Sequence, residues 1–162
     1  MEMVRRTFLL IVTLGLTVQA ADFSLTIGNA AAAIAPGDTG NTLIKKADKM
    51  AAVMAVRPEN CADPAKVQIT GTAEGIVDGM RRTMALKLIA GTVPGAYIVQ
   101  REWQQGTWVV NLTGVCGAAK AGAIVPFSPE GNYLRESAQF YPRAATAAEI
   151  EASLKTLAGG KK

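Results

Sequence analysis

The sequence has no histidine at all and only two cysteines. Histidine is the usual general acid or base near neutral pH and the commonest metal ligand in proteins, so its absence argues against most hydrolytic and metal-dependent chemistry. No nucleophilic side chain has a visible base beside it in sequence, and no glycine-rich phosphate-binding loop is present. We therefore predict that the protein is not an enzyme. No residue is assigned to catalysis, to a cofactor or to a metal, and no cofactor is expected.

Charge is also sparse. The chain carries 17 Lys and Arg against 13 Asp and Glu, a net charge of +4. The basic residues are scattered, and no basic stripe is interleaved with aromatic residues as in nucleic-acid-binding surfaces. Nucleic acid is therefore not a predicted partner.

The N-terminal segment has the pattern of a secretory signal peptide, predicted over residues 1–20. Arg5 and Arg6 form a basic start, residues 7–18 form an apolar run, and Ala20 is a small residue at the cleavage position. The apolar run is too short for a comfortable membrane span. We predict export to the periplasm or the medium, with no membrane span after cleavage. Arg5 and Arg6 fit either the basic start of an ordinary secretory signal or a twin-arginine export signal. The sequence leaves both export routes open.

In an exported chain, two cysteines indicate one disulfide, here Cys61–Cys116. Closing a loop of about 55 residues restricts the unfolded chain and stabilises the fold by roughly 4 kcal/mol at most. A reactive or metal-binding thiol pair is the alternative. It is less favoured because there is no C-x-x-C spacing and no histidine to activate a thiolate.

The clearest pattern lies between residues 94 and 116, PGAYIVQREWQQGTWVVNLTGVC. Apolar residues alternate with polar ones on both sides of a glycine-containing turn, which predicts an antiparallel hairpin with one buried face. The apolar pattern selects the register with Trp103 opposite Trp108 and Val99 opposite Leu112.

A second hairpin is predicted around Asp78-Gly79, a dipeptide that suits a two-residue type I′ turn. Pairing across that turn puts apolar residues or glycine opposite each other throughout: Val77 with Met80, Ala73 with Met84, Gly71 with Leu86 and Ile69 with Leu88.

Shorter signals fill the rest of the chain. Residues 22–27 alternate as a first strand, and residues 29–42 are predicted to form a loose connection. Residues 43–56 fit helical and strand spacing; we favour a short helix over 41–49 followed by a strand over 51–57.

Two strands and a helix are predicted near the C-terminus. Pro126 makes residues 122–127 a candidate edge strand, and residues 132–141 form another strand with Leu134, Ala138 and Phe140 on one face. A helix over 146–158 begins at a capping box formed by Thr146 and Glu149. Residues 159–162 are predicted to be a loose tail. Residues 21–158 therefore form one mainly antiparallel all-β domain: a sandwich of about seven short strands with a C-terminal helix.

Residues 67–116, through the motif PGAYIVQREWQQGTWVVNL, resemble bacterial periplasmic immunoglobulin-like β-sandwich domains of the copper-carrier and oxidase-accessory kind. The resemblance implies an immunoglobulin-like sandwich. The chain departs from antibody-type domains because Cys61 sits between Pro58 and Pro64 instead of in mid-strand.

The function predicted from these features is non-catalytic: an exported domain that binds a protein or another component of the cell envelope. The alternative is a periplasmic copper-handling module that uses Met50, Met54, Met80 and Met84, since thioethers suit soft metals. Core packing is the more frequent role of such methionines, and the hairpin register predicts that Met80 and Met84 are buried.

Overall fold

Antiparallel β-structure dominates the fold, as the alternating sequence predicts. The computed structural model describes residues 22–34 and 41–159. The predicted signal peptide lies outside these ranges, as do residues 160–162 of the predicted tail. The strands are β1 (Ser24–Gly28), β2 (Ala52–Glu59), β3 (Gln68–Val77), β4 (Met80–Ala85), β5 (Lys87–Ala90), β6 (Tyr97–Gln100), β7 (Thr107–Cys116), β8 (Ala119–Phe127) and β9 (Gln139–Tyr141). The helices are α1 (Ala30–Ile34), α2 (Asn41–Lys49) and α3 (Ala147–Gly159).

The strands form two sheets with a shared core. Sheet 1 has four strands in the order β1-β2-β6-β5, and sheet 2 has five in the order β4-β3-β7-β8-β9. The all-β prediction is confirmed, but about seven strands was too few. The alternating side chains Leu25 and Ile27 of β1 and Val110 and Leu112 of β7 are buried between the sheets. Burying each of them contributes roughly 1.5–3 kcal/mol.

Helices cover the outer faces of both sheets. Helices α1 and α2 lie on sheet 1, where Ala33 and Ala47 pack with Ile98 of β6. Helix α3 lies on sheet 2, where Ile150 and Leu154 pack on β7 and β8. The predicted helix over 41–49 and the strand after it are confirmed.

The segment predicted as a loose connection, residues 29–42, contains α1, so that prediction was wrong in part. The side-chain oxygen of Asn29 accepts a hydrogen bond from the Ala31 N–H at 2.9 Å, which satisfies one of the free donors at the start of that helix. A run of alanines favours the helix once it can pack on the sheet.

The predicted hairpin between Val99 and Leu112 is wrong, because β6 belongs to sheet 1 and β7 to sheet 2. The chain crosses the core between them, and Trp103 and Trp108 contact each other there, with ring centroids 6.2 Å apart. Phe127 completes the cluster, 5.2 Å from Trp103. Two facing strands of a sandwich show the same period-two pattern as a hairpin, since both arrangements turn their apolar side chains into one core.

The second hairpin is confirmed near its turn. Asp78 and Gly79 both have positive φ, 50° and 74°, as a type I′ turn requires. Ala73 lies opposite Met84 as predicted. Beyond Leu86 the prediction fails, because the chain leaves sheet 2 there and continues as β5 in sheet 1.

Leu88 therefore pairs with Val99 of β6 and not with Ile69. Only Leu86 separates β4 of sheet 2 from β5 of sheet 1. The continuous segment β4–β5 therefore joins the two sheets along one side of the sandwich. Met84 is partly buried, whereas Met80 is 52% exposed at the hairpin tip, so its predicted burial is wrong.

The region after β8 forms less strand than predicted. Residues 132–141 contain a 3-10 turn at Arg135–Ser137, and only Gln139–Tyr141 pair as β9. Pro126 lies beyond the part of β8 that pairs with β9, and its carbonyl accepts a hydrogen bond from the Leu134 N–H at 2.8 Å. Because proline has no N–H, it suits a position where the neighbouring strand has ended.

The capping box of α3 is confirmed. The Thr146 N–H donates to the Glu149 carboxylate at 2.7 Å, and the Glu149 N–H donates to the Thr146 hydroxyl at 3.3 Å. Arg143 also donates two hydrogen bonds to this carboxylate. The Arg143 guanidinium and the Thr146 N–H lower the pKa of Glu149 to about 2.

The disulfide Cys61–Cys116 is confirmed, with the two Cα atoms 6.1 Å apart. It joins the loop between β2 and β3 to the end of β7. In the same loop, the side-chain NH2 of Asn60 donates to the Asp22 carbonyl at 3.1 Å, which holds the start of β1.

We expect replacement of both Cys61 and Cys116 by serine to lower the free energy of unfolding by about 2–4 kcal/mol, because the bond restricts the unfolded chain. Urea denaturation measures the change, and wild-type protein under reducing conditions is the control. The two should lose the same amount. Two free thiols in denatured, unreduced protein would contradict the bond.

We also expect a pH-dependent effect of Glu149→Gln, which keeps the capping hydrogen bonds but removes the charge. The folded pKa of about 2 lies below the ordinary value of 4.5, so the carboxylate stabilises the fold above about pH 4.5 and loses that effect as the pH falls towards 2. Urea denaturation across this range should show the wild type more stable at neutral pH and the difference shrinking in acid. A difference independent of pH would contradict the assignment.

Candidate functional site

Glu149 and Glu151 of α3 each form ion pairs with nearby basic side chains. Glu149 binds Arg143 and Thr146, whereas Glu151 binds Arg81 and Lys155. Arg81 also binds Glu74 of β3, and this contact, followed by that with Glu151, raises the pKa of Arg81. The cluster fastens α3 to the hairpin of β3 and β4, and the two glutamates point to different neighbours.

The four methionines considered for a copper site lie in different surroundings. Met54 is fully buried in the core, and Met84 packs against the same core. Met50 follows α2, packs against the helix-covered face of sheet 1 and accepts a hydrogen bond from Gln100 through its carbonyl. Within residues 22–34 and 41–159, no three His, Cys, Asp or Glu side chains lie close enough together to hold a metal ion.

The two tryptophans are core residues. Trp103 is 5% exposed and Trp108 is 3% exposed, so their faces do not offer a surface for stacking a ligand. Trp108 lies over Gly75 of the adjacent strand, where a Cβ atom would come within 2.4 Å of the indole ring. A side chain at position 75 would therefore collide with the indole of Trp108, which pairs with Gly75 in the same sheet.

A groove of about 460 Å³ lies along α2 and is lined by Lys45, Lys46, Asp48 and Lys49. Its lining consists of three surface lysines and one carboxylate, and none of these side chains makes an ion pair or a hydrogen bond with another residue that the structure describes. Among the described helices, none is both long enough and apolar enough to cross a membrane.

On the side opposite the crossing from β4 to β5, the edge strands of the two sheets are β1 and β9, and no described segment between them joins the sheets. Sheet 2 has one strand more than sheet 1. Strand β1, the last strand of sheet 1, lies against β8 and touches β9, and its Leu25 side chain reaches Gly114 of β7. Strand β9 therefore projects beyond the edge of sheet 1.

Because β9 projects beyond the edge of sheet 1, its residue Phe140 is left exposed. It pairs with Ala123 of β8, a fully buried residue of the inner face, so Phe140 also belongs to the inner face. Its side chain is nevertheless 48% exposed. An inner-face aromatic is exposed here because, among the residues that the structure describes, sheet 1 has no strand above β9.

An open groove of about 490 Å³ occupies this position. One wall is β1 and the other is formed by β9 and the turn before it. We call it the open groove; its lining residues are Ser24, Leu25, Thr26, Ile27, Arg135, Glu136 and Phe140.

The hydrogen-bonding direction of β1 follows from its neighbours. In an antiparallel sheet, the N–H and C=O of one residue point to the same neighbouring strand, and successive residues alternate. The Gly91 N–H donates to the Ala96 carbonyl at 2.7 Å, so Ala96 points towards the β5 side of β6. The next residue, Tyr97, therefore points to β2. It pairs with Val56, which in turn points to β6.

The same alternation carries across β2 to β1. Because Val56 points to β6, Arg57 points to β1, where it pairs with Thr26. The neighbours of Thr26, Leu25 and Ile27, therefore point their N–H and C=O groups away from β2, towards the open groove. Pro58 lies opposite Leu25 and fits this pattern, since its missing N–H would point away from β1.

The edge of β1 lacks three features that commonly prevent pairing with another strand: proline, charged side chains and a bulge. Its sequence, Ser24–Gly28, contains no proline and no charge, and its pairing with β2 runs without a bulge. Among the described residues, β2 is the only strand that pairs with it. The geometry thus brings together an exposed aromatic side chain and backbone groups that no other described strand pairs with.

The candidate site was not predicted from the sequence. Phe140 was expected on the apolar face of a strand, which is correct, but its exposure depends on which strand lies above it. The disulfide Cys61–Cys116, the only predicted pair of site residues, lies outside the lining of the open groove.

The chain matches no known family, and neither a curated protein nor a solved structure is significantly similar to it.

Backbone hydrogen exchange should reveal the alternation along β1. We expect the amides of Leu25 and Ile27 to exchange about tenfold or more faster than those of Thr26 and Gly28, because only the latter pair donates to β2. NMR exchange measurements on the free protein test this directly. Equal protection of all four amides would show that the edge is already covered.

Proposed function

We propose that the protein is a non-catalytic binding module that takes up an extended segment of a partner protein along β1. Addition of a strand to an exposed sheet edge gives affinity through backbone hydrogen bonds and specificity through alternate side chains. The observation that carries the proposal is the position of Phe140, an inner-face aromatic side chain that is 48% exposed. Within the described part of the chain, sheet 1 has no strand above β9.

A single added strand would complete the sandwich. It would pair with the outward N–H and C=O groups of Leu25 and Ile27 and extend sheet 1 from four strands to five, the number in sheet 2. Its inward side chains would cover Phe140, removing apolar surface from water at about 25 cal/mol per Å². One strand therefore satisfies both the backbone groups and the aromatic side chain.

A second copy of the chain fits the same position poorly. Antiparallel pairing of two β1 strands around a two-fold axis would put both copies of sheet 2 on the same side of the joined sheet. Because β9 projects beyond β1, the β9 strand of each copy would then occupy the space of β8 in the other. This overlap favours a lone strand as the occupant.

The strand order supports an immunoglobulin-like arrangement as part of the proposal. The order β1-β2-β6-β5 corresponds to strands A-B-E-D of such domains, and β4-β3-β7-β8 corresponds to C′-C-F-G. Strand β9 is an addition beside the last of these. The disulfide differs from that of antibody domains, since Cys61 lies in the loop after β2 and not within the strand.

Export and an envelope partner are also part of the proposal. The motive is the disulfide Cys61–Cys116 together with the signal-peptide pattern of residues 1–20, since disulfides persist in oxidising compartments. The copper-handling alternative stays a prediction without a favouring observation, because Met54 is fully buried and Met80 lies at an exposed hairpin tip.

A phage-displayed library of random peptides about nine residues long tests the proposed function. Peptides enriched on the wild-type protein should bind Phe140→Asp at least about tenfold more weakly, because the new carboxylate would be desolvated beneath the added strand. The matched control is Met80→Asp, which changes the other exposed large apolar side chain and should leave the affinity unchanged.

Two outcomes would contradict the proposal. One is a library that yields no binder, or only binders that ignore Phe140→Asp. The other is a wild-type dimer, measured by light scattering, that the same substitution separates into monomers; it would assign the edge to a second copy.

A further inference from the structure

The open groove also limits how a partner strand can lie in it. Each of Leu25 and Ile27 offers one outward N–H and one outward C=O, so the edge presents two donors and two acceptors over a three-residue stretch. The side chains of both residues point to the inner face, where they are buried. The direction of an added strand decides which of its residues can meet these groups.

In an antiparallel strand, a residue opposite Leu25 exchanges both hydrogen bonds with it, and its side chain points to the same face. A second residue does the same opposite Ile27. Two alternate residues would thus satisfy all the outward groups and would also turn their side chains inward, over Phe140.

In a parallel strand, the hydrogen bonds of Leu25 and Ile27 go to residues that flank the ones opposite them. Three residues would be needed to satisfy the same groups, and their side chains would point to the outer face. The residues that cover Phe140 would then be different from those that hold the backbone.

We infer that the partner segment runs antiparallel to β1 and contains an apolar-x-apolar motif. One of the two apolar residues pairs with Leu25 and the other with Ile27, and the side chains of both cover Phe140. This inference rests on the proposed function and specifies the partner that it requires. Antiparallel pairing is the more stable arrangement per residue, and every strand pair in both sheets is antiparallel.

The intervening residue has a different environment. It lies opposite Thr26, whose half-buried side chain is on the outer face of the sheet and donates a hydrogen bond to the Arg57 carbonyl at 3.5 Å. Its own N–H points away from β1. A polar residue, or one without an N–H, therefore suits this position, whereas proline at either flanking position would remove a donor that the Leu25 or Ile27 carbonyl needs.

Two scans of one peptide distinguish the directions. The probe is the tightest-binding peptide from the random library, prepared with alanine at each position in turn and separately with a methyl group on each backbone nitrogen. For an antiparallel strand, both scans should weaken binding at the same two alternate positions, by about tenfold each, and change it less than about twofold at the residue between them.

The Phe140→Ala variant supplies a control for the side-chain effect. Alanine substitutions in the peptide should cost less against this variant than against the wild type, while the N-methyl effects should stay the same. This double-mutant comparison separates contacts with Phe140 from backbone pairing with β1.

In a parallel strand, alanine substitution and N-methylation would weaken binding at different, alternating positions. That pattern would establish a parallel strand. That result would overturn this inference and leave the proposed function standing. A peptide whose affinity ignores N-methylation everywhere does not add a strand to β1, and it would overturn both.

Discussion

The apolar side chains buried between the two sheets hold this fold together, and the sheets meet there with different numbers of strands. Period-two alternation supplies the side chains for that layer, including Leu25 of β1, Val110 of β7 and Trp103 in the crossing between the sheets. Helices on both outer faces bury the remaining apolar stripes. The open groove follows from the same packing, because the sheets are flush on the side where β4 continues as β5 and unequal on the other.

Local signals in the sequence were reliable wherever neighbouring residues alone decide the conformation. The Asp78-Gly79 turn, the Thr146 and Glu149 capping box and the alternation of β1 depend on backbone preference and short-range hydrogen bonds. The disulfide was predictable for a different reason, since the chain has only one possible pair of cysteines.

The sheet to which each strand belongs could not be predicted, because the alternation of apolar and polar residues is the same in either sheet. Met84, Leu86 and Leu88 recur at every second position with no break in the pattern, yet the chain changes sheets at Leu86. Likewise, the pattern around Trp103 and Trp108 is the same whether their strands pair or face each other. The candidate site depends on this missing information: Phe140 would be an ordinary core residue if sheet 1 had one more strand.

The projecting strand β9 also bears on edge-to-edge association between copies of the folded protein. An uncharged edge such as Ser24–Gly28 usually invites edge-to-edge association, and many proteins prevent it with lysine, proline or a bulge in the strand itself. In the proposed arrangement the obstacle lies in the opposite sheet, because β9 would overlap with a second copy that pairs its own β1 in the same plane. On this proposal, a narrow peptide reaches the edge while a second copy of the domain is kept away. An uncharged edge strand would thus stay accessible to a peptide without any change to its own sequence.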